Sequence, residues 1–370
     1  FKNSDLPGDP KGTGMKIHAG GDYRVSAAYM SRGDGFVLSD KANSDNVADK
    51  NWFQSAPEIN DEGYQKFYAR DIEWYVLGPG LEGISAIKRA IMRDGAIGTC
   101  YCSGRTFLSK DFIHYQPHSS PRDPNHSVAI IGWDDTKITS EEGKRPPLPG
   151  AWLIKNSWGT NRGDNGYYWI SYFDKHAAQH VELGAASFRN IEPLRYNSFY
   201  YHDYHGWRDS LTEVSRAFNA YTAEKDEEIV AASFYTSTNN VDYTVKIFGR
   251  FEDGLLLDEL GSLSGTSEIS GFHTVDLAEA VNIKKDDKFY VYVEFSNGGH
   301  AIDRTSYIPV LLGADEDKPK GPIVTSKASP GESYYYDGSS WKDLYDYKFD
   351  NPSWGTFDKT ANFCIKALGK

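Results

Sequence analysis

The chain has 370 residues, with 40 Lys and Arg against 52 Asp and Glu, a net charge of −12 and a pI near 5.3. That length sets an expectation of two ordinary domains, each with enough chain for its own core. The acidic balance argues against nucleic acid or an anionic membrane surface as the main partner, and no apolar run approaches the ~20 residues that span a bilayer, so no transmembrane segment is expected. Aromatics make up 14% of the chain, with 25 Tyr and 9 Trp, which favours β-rich extracellular surfaces facing peptide or carbohydrate. The three cysteines, Cys100, Cys102 and Cys364, are too few and too odd in number for a disulfide framework, so the core alone must hold the fold.

In chain order, residues 1–20 read as loop; no signal peptide is visible, and the opening on Phe1 without Met sets the expectation that something has been removed. Gly20-Gly21 then make a turn before a short helix that holds Ala27, Ala28 and Met30 and closes at Gly33 and Gly35. Tyr68, Ile72, Trp74 and Val76 alternate and predict a strand. Residues 83–95 predict a helix, with Ile84, Ile87 and Ile91 on one face and Gly95 ending it. The next run, AIGTCYC, is a strand with Cys100 and Cys102 on the same face. A nucleophilic thiolate needs a nearby base and an electropositive setting. Mid-strand apolar surroundings raise the thiol pKa instead, so both read as packing residues.

The most informative stretch is 125–170. His126 opens an apolar run, Val128–Ile131, that reads as a buried strand. Residues 141–150, EEGKRPPLPG, are a loop. Trp152, Leu153 and Ile154 form a second strand that delivers Asn156, Ser157 and Trp158 at its end. His126 and Asn156 thus lie at the ends of two strands able to pair. A side-chain amide beside an imidazole is the base–orienter half of a nucleophile–base–orienter triad. Downstream, GYYWISYFD at 166–174 reads as the last strand of the first domain. His176 and His180 lack the acidic partner of a zinc motif and read as packing or surface residues.

NHSVAIIGW at 125–133 followed by WLIKNSWGT at 152–160 and the GDNGY run ending at Tyr167 resembles the His and Asn blocks of papain-like cysteine proteases. The resemblance implies an α+β papain-like domain in which His126 is the general base, Asn156 holds its ring and Trp158 shields their hydrogen bond from water. It further implies that Gly20 and Gly21 line the cleft and pair with an extended substrate, and that Asn125, Ser127 and Cys100 contribute to substrate binding, Cys100 at the pocket for the substrate's second residue. Arg162 stands where the family usually has an aromatic residue, and Ser127 where it commonly has Ala. The family's nucleophilic Cys precedes the His by about 130–150 residues. Counted back from His126, it falls ahead of Phe1, as does the Gln of the oxyanion hole. The expectation is a papain-like domain lacking its first segment, with the catalytic Cys cut away, carried on a second smaller chain, or lost in a degenerate homologue. No cofactor is implied for catalysis.

Beyond Pro193 the character changes. Eight short alternating runs, from Val214–Tyr221 to Asn362–Ala367, separated by turns such as FEDG and SNGG, predict an all-β jelly-roll-like sandwich. Its layout resembles the lectin-like domain that follows the protease domain in some bacterial surface cysteine proteases, including surface-layer-processing ones, which implies a secreted or cell-surface address. Trp207, Tyr334, Tyr335, Tyr336 and Trp341 could stack a glycan, or belong to core and edge strands. A structural calcium in the sandwich stays open: Asp203, Asp209, Asp286, Asp287, Asp315 and Asp317 are available, none with EF-hand spacing.

The reading is therefore a papain-like domain over 1–195 and a lectin-like β-sandwich over 196–370, acting as a cysteine endopeptidase on extracellular or cell-surface proteins. The competing reading is a catalytically inactive papain-fold protein that binds peptide or glycan. A third, a glycan-processing enzyme, needs paired carboxylates on facing strands.

Overall fold

The computed structural model describes residues 21–38, 63–313, 323–347, 349 and 359–370. The calls on Gly20, Asp315 and Asp317 lie outside the described residues. Helix α1 (Tyr23–Ser31) starts at Asp22, whose carboxylate accepts the Arg24 backbone N–H, and it ends where the Arg32 N–H returns to the carbonyl of Ala28. The strand and helix expected after it are β1 (Phe67–Tyr75) and α2 (Ile84–Asp94). In α2 the i, i+3, i+4 set Ile87, Ala90 and Ile91 is buried, and Gly95 stops the helix at φ 93°.

Five strands carry the chain through the site region: β2 (Ile97–Tyr101), β3 (Ile113–His114), β4 (His126–Asp134), β5 (Ala151–Lys155) and β6 (Tyr167–Ser171). A further one, β7 (Ala185–Pro193), corrects the expectation that the first domain's strands end at residue 174. It lies between β1 and β2, in the interior of the sheet. Its sequence, AASFRNIEP, hides it: small residues fill the buried half and there is no clean alternation.

The second half contributes short β8 (Ser198–Tyr200) and β9 (Asp209–Leu211), then β10 (Arg216–Thr222), β11 (Glu227–Thr236), β12 (Val241–Glu252), β13 (Leu255–Ser267), β14 (Gly271–Ile283) and β15 (Lys288–Phe295). It closes with β16 (His300–Arg304), β17 (Ser306–Pro309), β18 (Ile323–Ser326), β19 (Ser333–Tyr336), β20 (Trp341–Asp343), β21 (Ala361–Phe363) and β22 (Ile365–Gly369). Among the described residues two sheets form the sandwich. One is six-stranded, in the order β13-β12-β15-β10-β19-β20. The other, with β21, β16, β11 and β14, does not stop at the domain boundary. β14 pairs antiparallel with β1, Ile72 opposite Phe272, so one fourteen-stranded sheet runs on through β7, β2, β4, β5, β6 and β3.

Three apolar clusters follow from this layering. Ile87, Ile97, Ile130, Trp152 and Ile154 are buried together around α2 and the site sheet. Phe234, Val245, Ile247, Phe289, Val291 and Phe363 fill the sandwich between its sheets. Tyr68, Ile72, Phe272 and Cys364 join the two halves. Stripping such large side chains from water is the main stabilising term, about 1.5–3 kcal/mol for each. The apolar residues at the seam are as fully buried as those of either core.

Candidate active site

β4 begins at His126 and β5 ends at Lys155, and the two strands pair antiparallel with Ala129 opposite Lys155. Pairing brings the residue that opens one strand next to the residue that follows the other. The His126 Nε2 lies 2.8 Å from the Asn156 Oδ1. That oxygen also accepts the Ser157 backbone N–H at 2.8 Å, and the Asn156 N–H donates to the Gly166 carbonyl at 3.1 Å. Because Oδ1 is already an acceptor, Nε2 must carry the proton. Neutral His126 therefore presents the lone pair of Nδ1, which has no hydrogen-bond partner among the described residues. A base so held is available to a thiol.

The loop after Asn156 is shaped by glycine. Gly163 sits at φ 62°, and a Cβ there would come within 2.3 Å of the Tyr167 carbonyl oxygen, so no side chain fits where the chain turns back to β6. The turn lays Trp158 flat on His126, with ring centroids 4.6 Å apart and planes 19° from parallel. On the imidazole's other flank stands Tyr101, directly opposite His126 in the β2–β4 register, ring centroids 5.6 Å apart at 63°. Tyr101 in turn meets His114 edge-on at 4.9 Å. His114 is buried, its Nδ1 3.0 Å from the Asp174 carboxylate and its Nε2 3.0 Å from the Cys102 carbonyl. Burial lowers the pKa of His126 below its ordinary value, and the hydrogen bond to Asn156 opposes that in part.

Tyr101 and the His114–Asp174 pair were not singled out from the sequence. The signal was there for Tyr101: alternation along AIGTCYC puts it on the face opposite to Cys100, and the pairing with β4 puts that face against His126. The same alternation settles the cysteines. Cys100, opposite Ser127 in the register, lies on the face away from His126 and is fully buried beside Tyr23 of α1, and Cys102, just past the strand, is buried too. Burial pushes the Cys100 thiol up to about 12 and raises the Cys102 thiol too. Cys364 is buried in the seam between the halves. The expectation that Cys100 touches substrate is therefore corrected: it has no exposed surface. Asn125 instead supports a turn, its Oδ1 accepting the Ser103 backbone N–H at 2.8 Å. Ser127 is half-buried, with its hydroxyl unpartnered inside. Gly21 is exposed, and a Cβ there would meet no atom within 4 Å.

Beside the imidazole lies a cavity of about 800 Å³ that Tyr101, Arg105, His114, Asn156, Trp158 and Arg162 help to line. A second, of about 630 Å³, opens in the sandwich among Tyr201, His202, Phe251, Tyr290, Glu332 and Tyr334. Of the aromatics named for glycan contact, Tyr334 and Trp341 pack on buried Phe218, centroids 4.7 and 4.8 Å away. Among the acidic residues named for calcium, Asp203 is wholly buried and paired with Lys366. Among the described residues no group of three or more His, Cys, Asp or Glu is gathered as a metal site, and no helix is long and apolar enough to cross a membrane.

Comparison with known proteins bears on both halves. Residues 62–185 match the family model of papain family cysteine proteases, and residues 199–369 that of the lectin-like domain. Human cathepsin L2 is 26% identical over 175 residues, covering 46% of this chain and 48% of its own. Cathepsin B-like cysteine proteinase 1 of Ostertagia ostertagi is 28% identical over 111 residues, 29% of this chain and 28% of its own. The chain thus spans about half the length of cathepsin L2, or less, in these curated relatives. Among solved structures, the clostridial cysteine protease Cwp84 after propeptide cleavage superposes with a TM-score of 0.67 at 22% identity, over 98% of this chain and 83% of that one. The cysteine protease and lectin-like domains of Cwp84, a surface layer associated protein of Clostridium difficile, give 0.65 at 23% identity over 93% and 72%. At such identity the likeness is one of fold: the same two domains joined in the same order.

Proposed function

We propose, for a chain that joins a papain-family cysteine protease domain to a lectin-like domain, that it serves a cysteine endopeptidase acting on proteins outside the cell or at its surface. The observation that carries this reading is the His126–Asn156 pair, locked by the Ser157 N–H into the tautomer that leaves Nδ1 free. The attacking sulfur belongs to a segment outside these 370 residues, on the same polypeptide or a smaller companion, because all three cysteines present are buried.

His126 takes the thiol proton at Nδ1, and the thiolate attacks the scissile carbonyl carbon. The tetrahedral oxyanion collapses to a thioester as His126 returns the proton to the leaving amine. Water, deprotonated by the same nitrogen, then hydrolyses the thioester and frees the thiol. Asn156 keeps the ring aligned through both steps, and Trp158 excludes water from the hydrogen bond that aligns it. Substrate lies extended past Gly20, Gly21, Asn125 and Ser127. No cofactor takes part. The surface address is supported by the surface layer association of Cwp84, which shares both domains. A glycan is the partner we assign to the sandwich, supported by its aromatic-lined cavity; any calcium there would be structural.

The test is cleavage of a denatured protein substrate by the full-length protein and by His126→Ala. Loss of about 10² or more in kcat/KM supports the role of the base. An unchanged rate refutes that role, and a wild type that cleaves nothing favours the alternative, an inactive binding protein.

A further inference from the structure

The cavity beside the imidazole has a charge of its own. Arg105 and Arg162 line it from two loops, both exposed to solvent, and among the described residues no Asp or Glu lines it. In a chain with 52 acidic residues against 40 basic ones, that is a local reversal of sign. Arg162 stands where papain-like enzymes usually have an aromatic residue, and the imidazole face is already covered by Trp158. Both loops are tied to the His126–Asn156 pair. The Ser103 N–H and hydroxyl donate to the Asn125 Oδ1 at 2.8 and 3.0 Å, which fixes the root of the Arg105 loop next to His126. The Arg162 carbonyl accepts the Gly166 N–H at 2.7 Å, and the Gly166 carbonyl accepts the Asn156 N–H at 3.1 Å. Apolar wall is supplied by Leu108, Trp158 and Phe112, the last 38% exposed and held at φ 58°. A bulky residue in the left-handed region is a costly conformation, and such strain gathers at binding sites.

We propose that this cavity receives the part of the substrate that departs with the amine, and that Arg105 and Arg162 select an Asp or Glu side chain on it. The inference rests on the peptidase reading above. The β2–β4 ladder sets the direction. Cys100 and Ser127, opposite one another, share one face with Tyr23, two residues past Gly21. Tyr101 and His126, the next pair in the register, turn to the other face, where the cavity lies. A chain that reaches His126 along Gly21 therefore leaves over the cavity. There a guanidinium grips a carboxylate through paired N–H donors, while the neighbouring side chains of the peptide rest on Trp158 and Phe112.

The experiment is digestion of a peptide library by the full-length protein and by its Arg105→Gln, Arg162→Gln and doubly substituted forms, with the cleaved bonds read by mass spectrometry. Asp and Glu should be enriched within the first few positions after the bond for wild type, and less so in each variant. Two C-terminally amidated peptides that differ only by Glu or Gln at the enriched position should then differ by about five- to tenfold in kcat/KM at low salt, the scale of one or two exposed charge pairs. That ratio should fall toward one in the double variant and at high salt. Arg162→Glu should turn the preference toward Lys, a reversal that a damaged fold does not produce. Cleavage without acidic enrichment after the bond, or an enrichment that no variant moves, overturns this inference alone. A wild type that cleaves nothing in the library overturns the peptidase reading and this inference with it.

Discussion

Trp158 lies flat on His126 at 4.6 Å, yet half of its own surface faces solvent. An exposed indole is normally a poor use of a large apolar group, and here it finds its place as the cover of one imidazole face. Trp158→Ala should let water reach the ring, relieve the burial that lowers the His126 pKa, and move that pKa up toward its ordinary value. NMR titration of the imidazole protons in wild type and variant measures the shift. Turnover should fall by about tenfold, because the hydrogen bond to Asn156 is then shared with water.

Asn156→Ala removes the acceptor of the Nε2 proton and frees the ring to adopt either tautomer. The expected loss is about 10²-fold, carried by kcat, with KM for the same peptide nearly unchanged. Asn156→Asp keeps an acceptor at the same place and should retain more of the activity. Steady-state kinetics on the three proteins check the order wild type, Asp variant, Ala variant.

His300 gives the sandwich a pH dependence with a definite sign. It is buried between Phe295, stacked at 4.4 Å, and Phe363, and its Nε2 faces the Ser215 carbonyl at 3.2 Å. Burial pulls its pKa down to about 4. The unfolded chain takes up that proton near pH 6.5, so stability is full above about 6.5 and drains away as pH falls toward about 4, by about 3 kcal/mol at most. Thermal unfolding between pH 7 and 4 should show a steep fall in Tm that is shallower in His300→Gln, whose amide can still donate to Ser215.

Lys366 and Asp203 pair in the seam between the halves, both wholly buried, with Tyr235 and Phe272 beneath the ammonium. Asp203→Ala leaves an unpaired cation in an apolar setting and should cost about 3–5 kcal/mol, while Asp203→Leu with Lys366→Met should come within about 1 kcal/mol of wild type. Urea denaturation of the single and double variants separates the two outcomes.

Much of the site was legible because strand patterning and chemistry coincide in it. The Val128–Ile131 run fixes β4, the apolar triplet Trp152–Ile154 fixes β5, and pairing them leaves His126 and Asn156 adjacent with no further information. The rest depended on register and on distant contacts. Tyr101 touches His126 only because β2 pairs with β4 in one register, and His114 reaches Asp174 across 60 residues. The strand β7 escaped because Ala185 and Ala186 carry too little hydrophobicity to mark a buried run. In the sandwich, the run expected at Val214–Tyr221 is β10, Arg216–Thr222, offset by two residues at its start and one at its end. β13 was not legible, since only Leu263 of its alternating half is a large apolar residue packed on the core, and the other inward positions there are Gly261, Gly265 and Ser267. The pairing of β1 with β14, which fuses the two halves, joins residues 200 apart and has no local signature.

The most direct measurement is peptide mapping of the full-length protein after reaction with a thiol-directed epoxide inhibitor, alongside His126→Ala. The adduct should fall on a cysteine other than Cys100, Cys102 and Cys364, and should vanish or slow by about 10² in the variant. An adduct on any of those three cysteines in the folded protein, or labelling that proceeds equally well without His126, would contradict the assignment of His126 and Asn156 as the base and orienter of an external sulfur.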